Sequence, residues 1–206
     1  NEKLYPYGTW INAIAISPDE KYLAIAIYAG ISVIDIQAGK YVYHTDILHS
    51  NDITRMVFSP DGSLLVSSSS DGTVIFWDTK TGERKGNTIF SNNVISIAFS
   101  PDGKILATGD YTNGEINLWD VSTREPIGIP LKMVNESVRN ISFSQDGGWL
   151  VSSSSLGIIR LWDISTSRLS DLACSIANRN LSPLEWNQYV GLGSYQPVCP
   201  NLPYNP

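Results

Sequence analysis

Apolar and polar positions fall into short blocks along this chain, and the blocks recur. Apolar-rich runs occupy 12–16, 53–58, 94–99 and 138–143. Each is followed by a turn signal and a second run, at 22–27, 64–69, 105–108 and 149–154. After a Gly-containing turn, a third run fills 31–36, 74–77, 116–119 and 158–162. A weaker, more polar run comes between units, as at 41–47 and 87–90. Runs this short, bounded by turn residues and rich in β-branched side chains, predict strands rather than helices.

Two markers keep the units in phase. Ser17-Pro18-Asp19-Glu20, Ser59-Pro60-Asp61-Gly62, Ser100-Pro101-Asp102-Gly103 and Ser144-Gln145-Asp146-Gly147 start 42, 41 and 44 residues apart. Proline presets φ in such a turn and glycine accepts a positive one. Val33-Ile34-Asp35, Phe76-Trp77-Asp78, Leu118-Trp119-Asp120 and Leu161-Trp162-Asp163 close the third runs, their Asp residues 43, 42 and 43 apart. Four strands per period of about 42 residues predict an all-β propeller of four-stranded blades. Four blades are predicted, approximately 1–36, 41–78, 87–120 and 127–163, followed by a tail at 164–206. The polar run would be the outer edge strand, with segment 1–10 supplying it to the first unit.

The Ser-Pro-Asp-Gly turns and Trp-Asp ends resemble WD repeats, the units of WD-repeat β-propellers, over residues 11–163. The second unit matches best: His49, Asp71 and Trp77 stand where the family has its Gly-His, turn Asp and strand Trp. The resemblance implies a hydrogen-bonded tetrad completed by a hydroxyl from the run 67–70, assigned to Ser69. The other units depart from it. Tyr7, Phe90 and Val134 hold the His position, Tyr28, Asn113 and Leu156 the turn Asp position, and Ile34 replaces the first Trp. One complete tetrad is therefore the most the chain can build. Such propellers usually close with seven or eight blades. The expectation is about three more blades upstream or on another chain, with a dimer of two four-blade arcs as the alternative. An open arc would leave two apolar faces exposed.

Beyond Asp163 the strand pattern stops. Leu172, Ala173, Ile176 and Ala177 have helical spacing, and Ser182, Pro183 and Glu185 have the order of a second helix start. The Pro-rich stretch 196–206 would be extended. Leu172-Ala173-Cys174, Asn178-Arg179-Asn180-Leu181-Ser182, Glu185-Trp186 and Cys199-Pro200 resemble the ending of bacterial WD-repeat proteins of the STAND NTPase type. That resemblance implies an effector and a nucleotide-binding domain ahead of a sensor propeller. No G-x-x-x-x-G-K-[ST] motif lies in this chain, so those parts would be elsewhere.

Composition narrows the chemistry. The 206 residues carry 14 basic and 20 acidic side chains, a formal charge of −6. An acidic chain without a basic run argues against nucleic acid or an anionic membrane as partner. No apolar stretch reaches the roughly 20 residues that cross a bilayer. Cys174 and Cys199 are too few for a disulfide framework and are expected as reduced, buried thiols in the cytosol, with a disulfide closing the tail as the alternative. His44 and His49 have no third or fourth ligand nearby, so no metal and no cofactor is expected. The serine runs lack a base or oxyanion partner. Asp35, Asp78, Asp120 and Asp163 recur in every unit, which argues for turn caps over catalysis.

What remains is surface. In the family, partners often dock on the rim made by the loops between blades and between second and third strands. On this chain those loops carry Trp10, Tyr28, Asn51, Asp52, Asn92, Tyr111, Glu136 and Leu156. Aromatic anchors dominate interface energetics, which singles out Trp10, Tyr28 and Tyr111. The functional expectation is a non-catalytic interaction or sensor propeller with a protein partner, the C-terminal part of a larger bacterial signalling or defence protein. A structural subunit completing another chain's ring and an enzyme on a propeller scaffold are the alternatives.

Overall fold

The computed structural model describes residues 10–45, 49–133, 136–165 and Ser182. Within them the chain folds into four antiparallel sheets, each a meander in sequence order. The first holds β1 (Ile11–Ile16), β2 (Tyr22–Ile27), β3 (Gly30–Asp35) and β4 (Lys40–Thr45). The second holds β5 (Ile53–Phe58), β6 (Leu64–Ser69), β7 (Thr73–Asp78) and β8 (Ile89–Phe90). The third holds β9 (Val94–Phe99), β10 (Ile105–Asp110), β11 (Glu115–Asp120) and β12 (Leu131–Lys132). The fourth holds β13 (Val138–Phe143), β14 (Trp149–Ser154) and β15 (Ile159–Asp163), three strands among the described residues instead of the predicted four.

The frame of the units differs from the predicted one. Strand β4 pairs with β3, β8 with β7 and β12 with β11. Each polar edge strand thus closes the sheet before it, and the predicted blades 41–78, 87–120 and 127–163 each straddle two sheets. The first sheet takes its edge from Lys40–Thr45, and residues 1–9 of the predicted edge segment lie outside the described residues. The reason is local: a hairpin turn at Asp35–Gly39, closed by Gly39 N donating to Asp35 O at 2.9 Å, brings the next segment back beside β3 at low loop-closure cost. The predicted helices of the tail lie outside the described residues.

One turn recurs in all four sheets. The Oγ of Ser17, Ser59, Ser100 and Ser144 donates to Oδ1 of the Asp two residues on, at 2.5–2.6 Å. The same Oγ accepts from the backbone N five residues on, at 2.8–2.9 Å. Hydrogen bonds from Ser17 and Ser59 are the leading cause that holds the Asp19 and Asp61 carboxyls below their ordinary value. The fourth position needs positive φ, taken by Gly62, Gly103 and Gly147 and, at strain, by Glu20 with φ 58°. A β-bulge also recurs, one residue into the first strand of each sheet, at Asn12, Thr54, Ile95 and Arg139.

The core lies between sheets, and successive residues of the central strands serve opposite interfaces. Leu65, Ile75 and Trp77 pack with Ala24, Ala26, Ile31 and Val33 of the first sheet. Val66, Val74 and Phe76 pack with Val94, Phe99 and Leu106 of the third. Ala107, Ile116 and Met133 meet Val138, Ile141 and Leu150 of the fourth. At the two ends of the row apolar side chains stay exposed: Ile14 and Ile16 in β1, Ile159 and Leu161 in β15.

Candidate functional site

A buried polar chain runs through the second sheet. Trp77 Nε1–H donates to Ser67 Oγ at 2.9 Å, and Ser67 Oγ lies 2.7 Å from His49 Nε2. His49 Nδ1 lies 3.3 Å from Asp71 Oδ2 and 2.9 Å from Thr73 Oγ1. Asp71 accepts from Thr73 N at 2.9 Å, Thr73 Oγ1 at 2.6 Å and Ser50 N at 2.8 Å. One proton arrangement serves every partner: Nδ1–H of a neutral His49 faces the carboxylate, and Nε2 accepts the Ser67 O–H. Burial holds the imidazole below its ordinary value against the pull of Asp71. Burial raises the Asp71 carboxyl, but hydrogen bonds from Thr73 and Ser50 outweigh it and bring the group below its usual range.

The hydroxyl in this chain is that of Ser67, not Ser69. Leu65 stands opposite Trp77 in the β6–β7 register and Ser67 opposite Ile75, so Ser67 is the diagonal neighbour of the indole. Ser69 lies one pleat nearer the loop, where its Oγ donates to Asn51 O at 2.9 Å and accepts from Asp71 N at 3.1 Å. The other sheets keep fragments. Trp119 Nε1 donates to Thr108 Oγ1 at 2.9 Å, and Trp162 Nε1 to Ser152 Oγ at 2.8 Å. Ser152 Oγ in turn lies 3.2 Å from Met133 Sδ, so Met133 takes the place that the sequence reading assigned to Val134, which is outside the described residues. Phe90, read at the His position of the third unit, is 77 % exposed while its neighbour Ile89 is 2 % exposed. In the first sheet, buried Ile25 and Ile34 take the places of Ser67 and Trp77.

The repeated Asp residues cap turns. Asp35 Oδ1 accepts from Ala38 N, Asp78 Oδ1 from Lys80 N and Thr81 N, Asp120 Oδ1 from Ser122 N and Thr123 N, and Asp163 Oδ1 from Ser165 N. Among the described residues no three His, Cys, Asp or Glu side chains converge as a metal site would require. No helix among them is long and apolar enough to cross a membrane.

The eight rim residues fall on loops at one edge of the sheets. Backbone bonds stitch those loops together: Ile53 N to Tyr28 O at 2.8 Å, Ser70 N to Asp52 O at 3.0 Å, Tyr111 N to Asn93 O at 3.1 Å, Ser155 N to Ser137 O at 3.3 Å. Trp10, Tyr28, Asn51, Asp52, Asn92, Tyr111 and Leu156 are exposed, and Glu136 is half-buried. Tyr28 holds φ at 52°, in the left-handed region that L side chains rarely adopt. Between the third and fourth sheets the rim opens into a groove of about 530 Å³ that gathers Tyr111, Glu136 and Leu156. The Arg139 guanidinium lies 4.9 Å from the ring centre of Tyr111. Sequence reasoning passed over Arg139 because its role as the bulge residue is a property of strand pairing.

The model of the family described as "Nucleolar protein 10-like, N-terminal domain" matches residues 12–194. The chain belongs to the WD-repeat β-propeller family. Among its WD-repeat relatives, it is 27 % identical over 153 residues to the target of rapamycin complex subunit wat1 of Schizosaccharomyces pombe, covering 74 % of this chain and 48 % of that protein. It is 34 % identical over 160 residues to the protein LST8 homolog of Drosophila pseudoobscura pseudoobscura, 76 % of this chain and 50 % of that one. It is 30 % identical over 138 residues to the small ribosomal subunit protein RACK1z of Arabidopsis thaliana, 56 % of this chain and 40 % of that one. The chain thus spans about half the length, or less, of these relatives. Its fold is also that of the computationally designed Ika4 protein, with a TM-score of 0.66 at 23 % identity over 80 % of this chain and 99 % of that one.

Proposed function

We propose that this chain is a non-catalytic interaction module that holds a protein partner on the loop rim. The observation that carries the reading is the gathering of exposed Trp10, Tyr28, Tyr111 and Leu156 on loops of one edge, above sheets whose buried polar groups serve structure. Large side chains with an apolar body anchor interfaces when a partner desolvates them. Relatives named as a subunit of the target of rapamycin complex and as a small ribosomal subunit protein support a role in protein assemblies.

The finer form of the reading is the C-terminal, sensing part of a larger cytosolic signalling or defence protein, of bacterial type. Further blades and an effector or nucleotide-binding domain would lie on this or another chain. The tail motifs between 172 and 200 support it, as do the exposed apolar side chains at both ends of the row of sheets. Those same ends favour a second reading, a structural subunit that completes a ring with another chain.

The test is affinity purification of the full-length protein beside its triple variant Trp10→Ala, Tyr28→Ala, Tyr111→Ala. The variant is expected to retain about tenfold less of any stoichiometric partner at an unchanged melting temperature. Equal recovery from both removes the rim assignment. The intact mass of the native polypeptide separates the sensor reading from the subunit reading, since a chain much heavier than 22.6 kDa carries its further parts in cis.

A further inference from the structure

We propose that two copies of this chain close a ring of eight sheets, four from each, with the outer face of the fourth sheet of each copy packed on the outer face of the first sheet of the other. The proposal rests on the subunit reading above and names the other chain. Within one copy the same contact is made three times, once between each pair of neighbouring sheets. In β7, Val74 and Phe76 stand four and two residues before Asp78 and are fully buried, packed with Val94, Phe99 and Leu106 of the next sheet. Their counterparts in β15, four and two residues before Asp163, are Ile159 and Leu161, which are 70 % and 66 % exposed. Counted from the serine of each Ser-x-Asp turn, the first sheet carries Ile11, Ile16 and Leu23 at the places of Val94, Phe99 and Leu106. Ile11 and Ile16 are exposed and Leu23 is half-buried. The two ends of a copy are thus the two halves of the apolar contact that holds its own sheets together.

The turns single out the first sheet of a second copy as the occupant. A Cβ on Gly62 would stand 3.8 Å from Pro18, one on Gly103 3.5 Å from Pro60 and one on Gly147 3.6 Å from Pro101. Each Ser-x-Asp turn therefore lays its last residue against the second residue of the turn before it. Two positions depart from this glycine-on-proline pattern, and they are the two with no turn beside them among the described residues. Gln145 replaces the proline at the fourth sheet and Glu20 the glycine at the first, and both are exposed. The proposed contact sets Gln145 of one copy beside Glu20 of the other, where the amide N–H donates to the carboxylate. A sheet with the usual glycine there would offer Gln145 no side-chain acceptor. The outer turns follow the same order: Gly82 lies against the Tyr43 ring of the preceding sheet, whereas Gly39, its counterpart after Asp35, has nothing within 4 Å. Each copy presents both ends, so the two contacts form together about a twofold axis and leave no apolar end open.

The experiment is sedimentation of the full-length protein over about a hundredfold range of concentration, beside Leu161→Asp and Ile16→Asp. Both side chains are exposed in a single copy, so either Asp leaves the fold in place, checked by an unchanged circular dichroism spectrum. The parent protein is expected as a dimer, and each variant alone should dissociate about a hundredfold more readily. An equimolar mixture of the two variants keeps one contact intact and should recover more dimer than either alone. The double variant Glu20→Cys, Gln145→Cys should form a disulfide between copies on oxidation, doubling the mass without reductant, and neither single-cysteine variant should do so. A monomer at every concentration overturns the proposal, whether further sheets of the same chain fill the gap or the row closes on itself. So does a dimer that survives Leu161→Asp or Ile16→Asp, or a disulfide formed within one copy. A monomer that copurifies with a stoichiometric chain of another sequence, released by Leu161→Asp, overturns the second copy alone and leaves the subunit reading standing. A monomer without such a chain overturns both.

Discussion

Ser67→Ala removes the centre of the buried polar chain in the second sheet. The methyl group is nearly the same size as the hydroxymethyl it replaces, so little packing is lost. Two groups lose their partner: the Trp77 indole N–H, now 2.9 Å from Ser67 Oγ, and His49 Nε2, at 2.7 Å. Ser67 is fully buried and Trp77 and His49 are each 2 % exposed, so water does not replace the hydroxyl. Leaving a buried polar group unsatisfied costs about 1–3 kcal/mol, which puts Ser67→Ala at about 2–4 kcal/mol after partial relaxation. Ser69→Ala is the control. It loses bonds to Asn51 O and Asp71 N at the loop, both only part-buried, and should cost about 1 kcal/mol. Urea unfolding of the full-length protein measures the difference, and hydrogen exchange at the Trp77 indole N–H reports it locally. If the two variants are equally stable, or if the Trp77 N–H stays protected in Ser67→Ala, the assignment of Ser67 to the network is wrong.

Three further outcomes are expected. His49 titrates below its ordinary value in the fold, so the unfolded chain takes up the proton first as the pH drops. Its contribution is fully present above about pH 6.5 and is lost as the pH falls through the folded value. Melting temperatures between pH 7.5 and 5 should therefore decline, and less so in His49→Gln; a decline of equal size in both would refute the assignment. Gly114→Ala should destabilise by about 3 kcal/mol or more, because its Cβ would collide with the carbonyl oxygens of Glu136 and Met133. Gly157→Ala, at φ 81° in open space, should cost only the left-handed strain of about 1–2 kcal/mol, and matching losses in chemical unfolding would contradict the packing argument. Glu20→Gly should gain about 0.5–1 kcal/mol by relieving φ 58° in the one Ser-x-Asp turn without glycine, read as a higher urea midpoint.

The parts of this molecule legible in the sequence are those decided within a few residues. The Ser-x-Asp turn closes on itself, each Ser Oγ reaching a carboxylate two residues on and an amide five residues on, so it forms alike in every unit, even where Gln145 replaces the Pro or Glu20 the Gly. The strands of the central positions follow from alternating β-branched residues, and the repeated Asp residues cap turns two or three positions away. The WD-repeat fold followed from these local signals because they recur in phase.

Tertiary structure alone decided the rest. Which of four consecutive serines meets Trp77 depends on the register of β6 against β7, and a shift of two residues would have moved the role to Ser69. Which sheet owns each polar edge strand depends on hairpin closure, which assigned it to the preceding unit. The rim groove unites Tyr111, Glu136 and Leu156, residues from three separate loops. Contacts at such separations are set by how sheets pack face to face and by the bulge that turns Arg139 onto Tyr111. A linear pattern carries the periods of individual strands, whereas the distance between two loops exists only after the sheets have met.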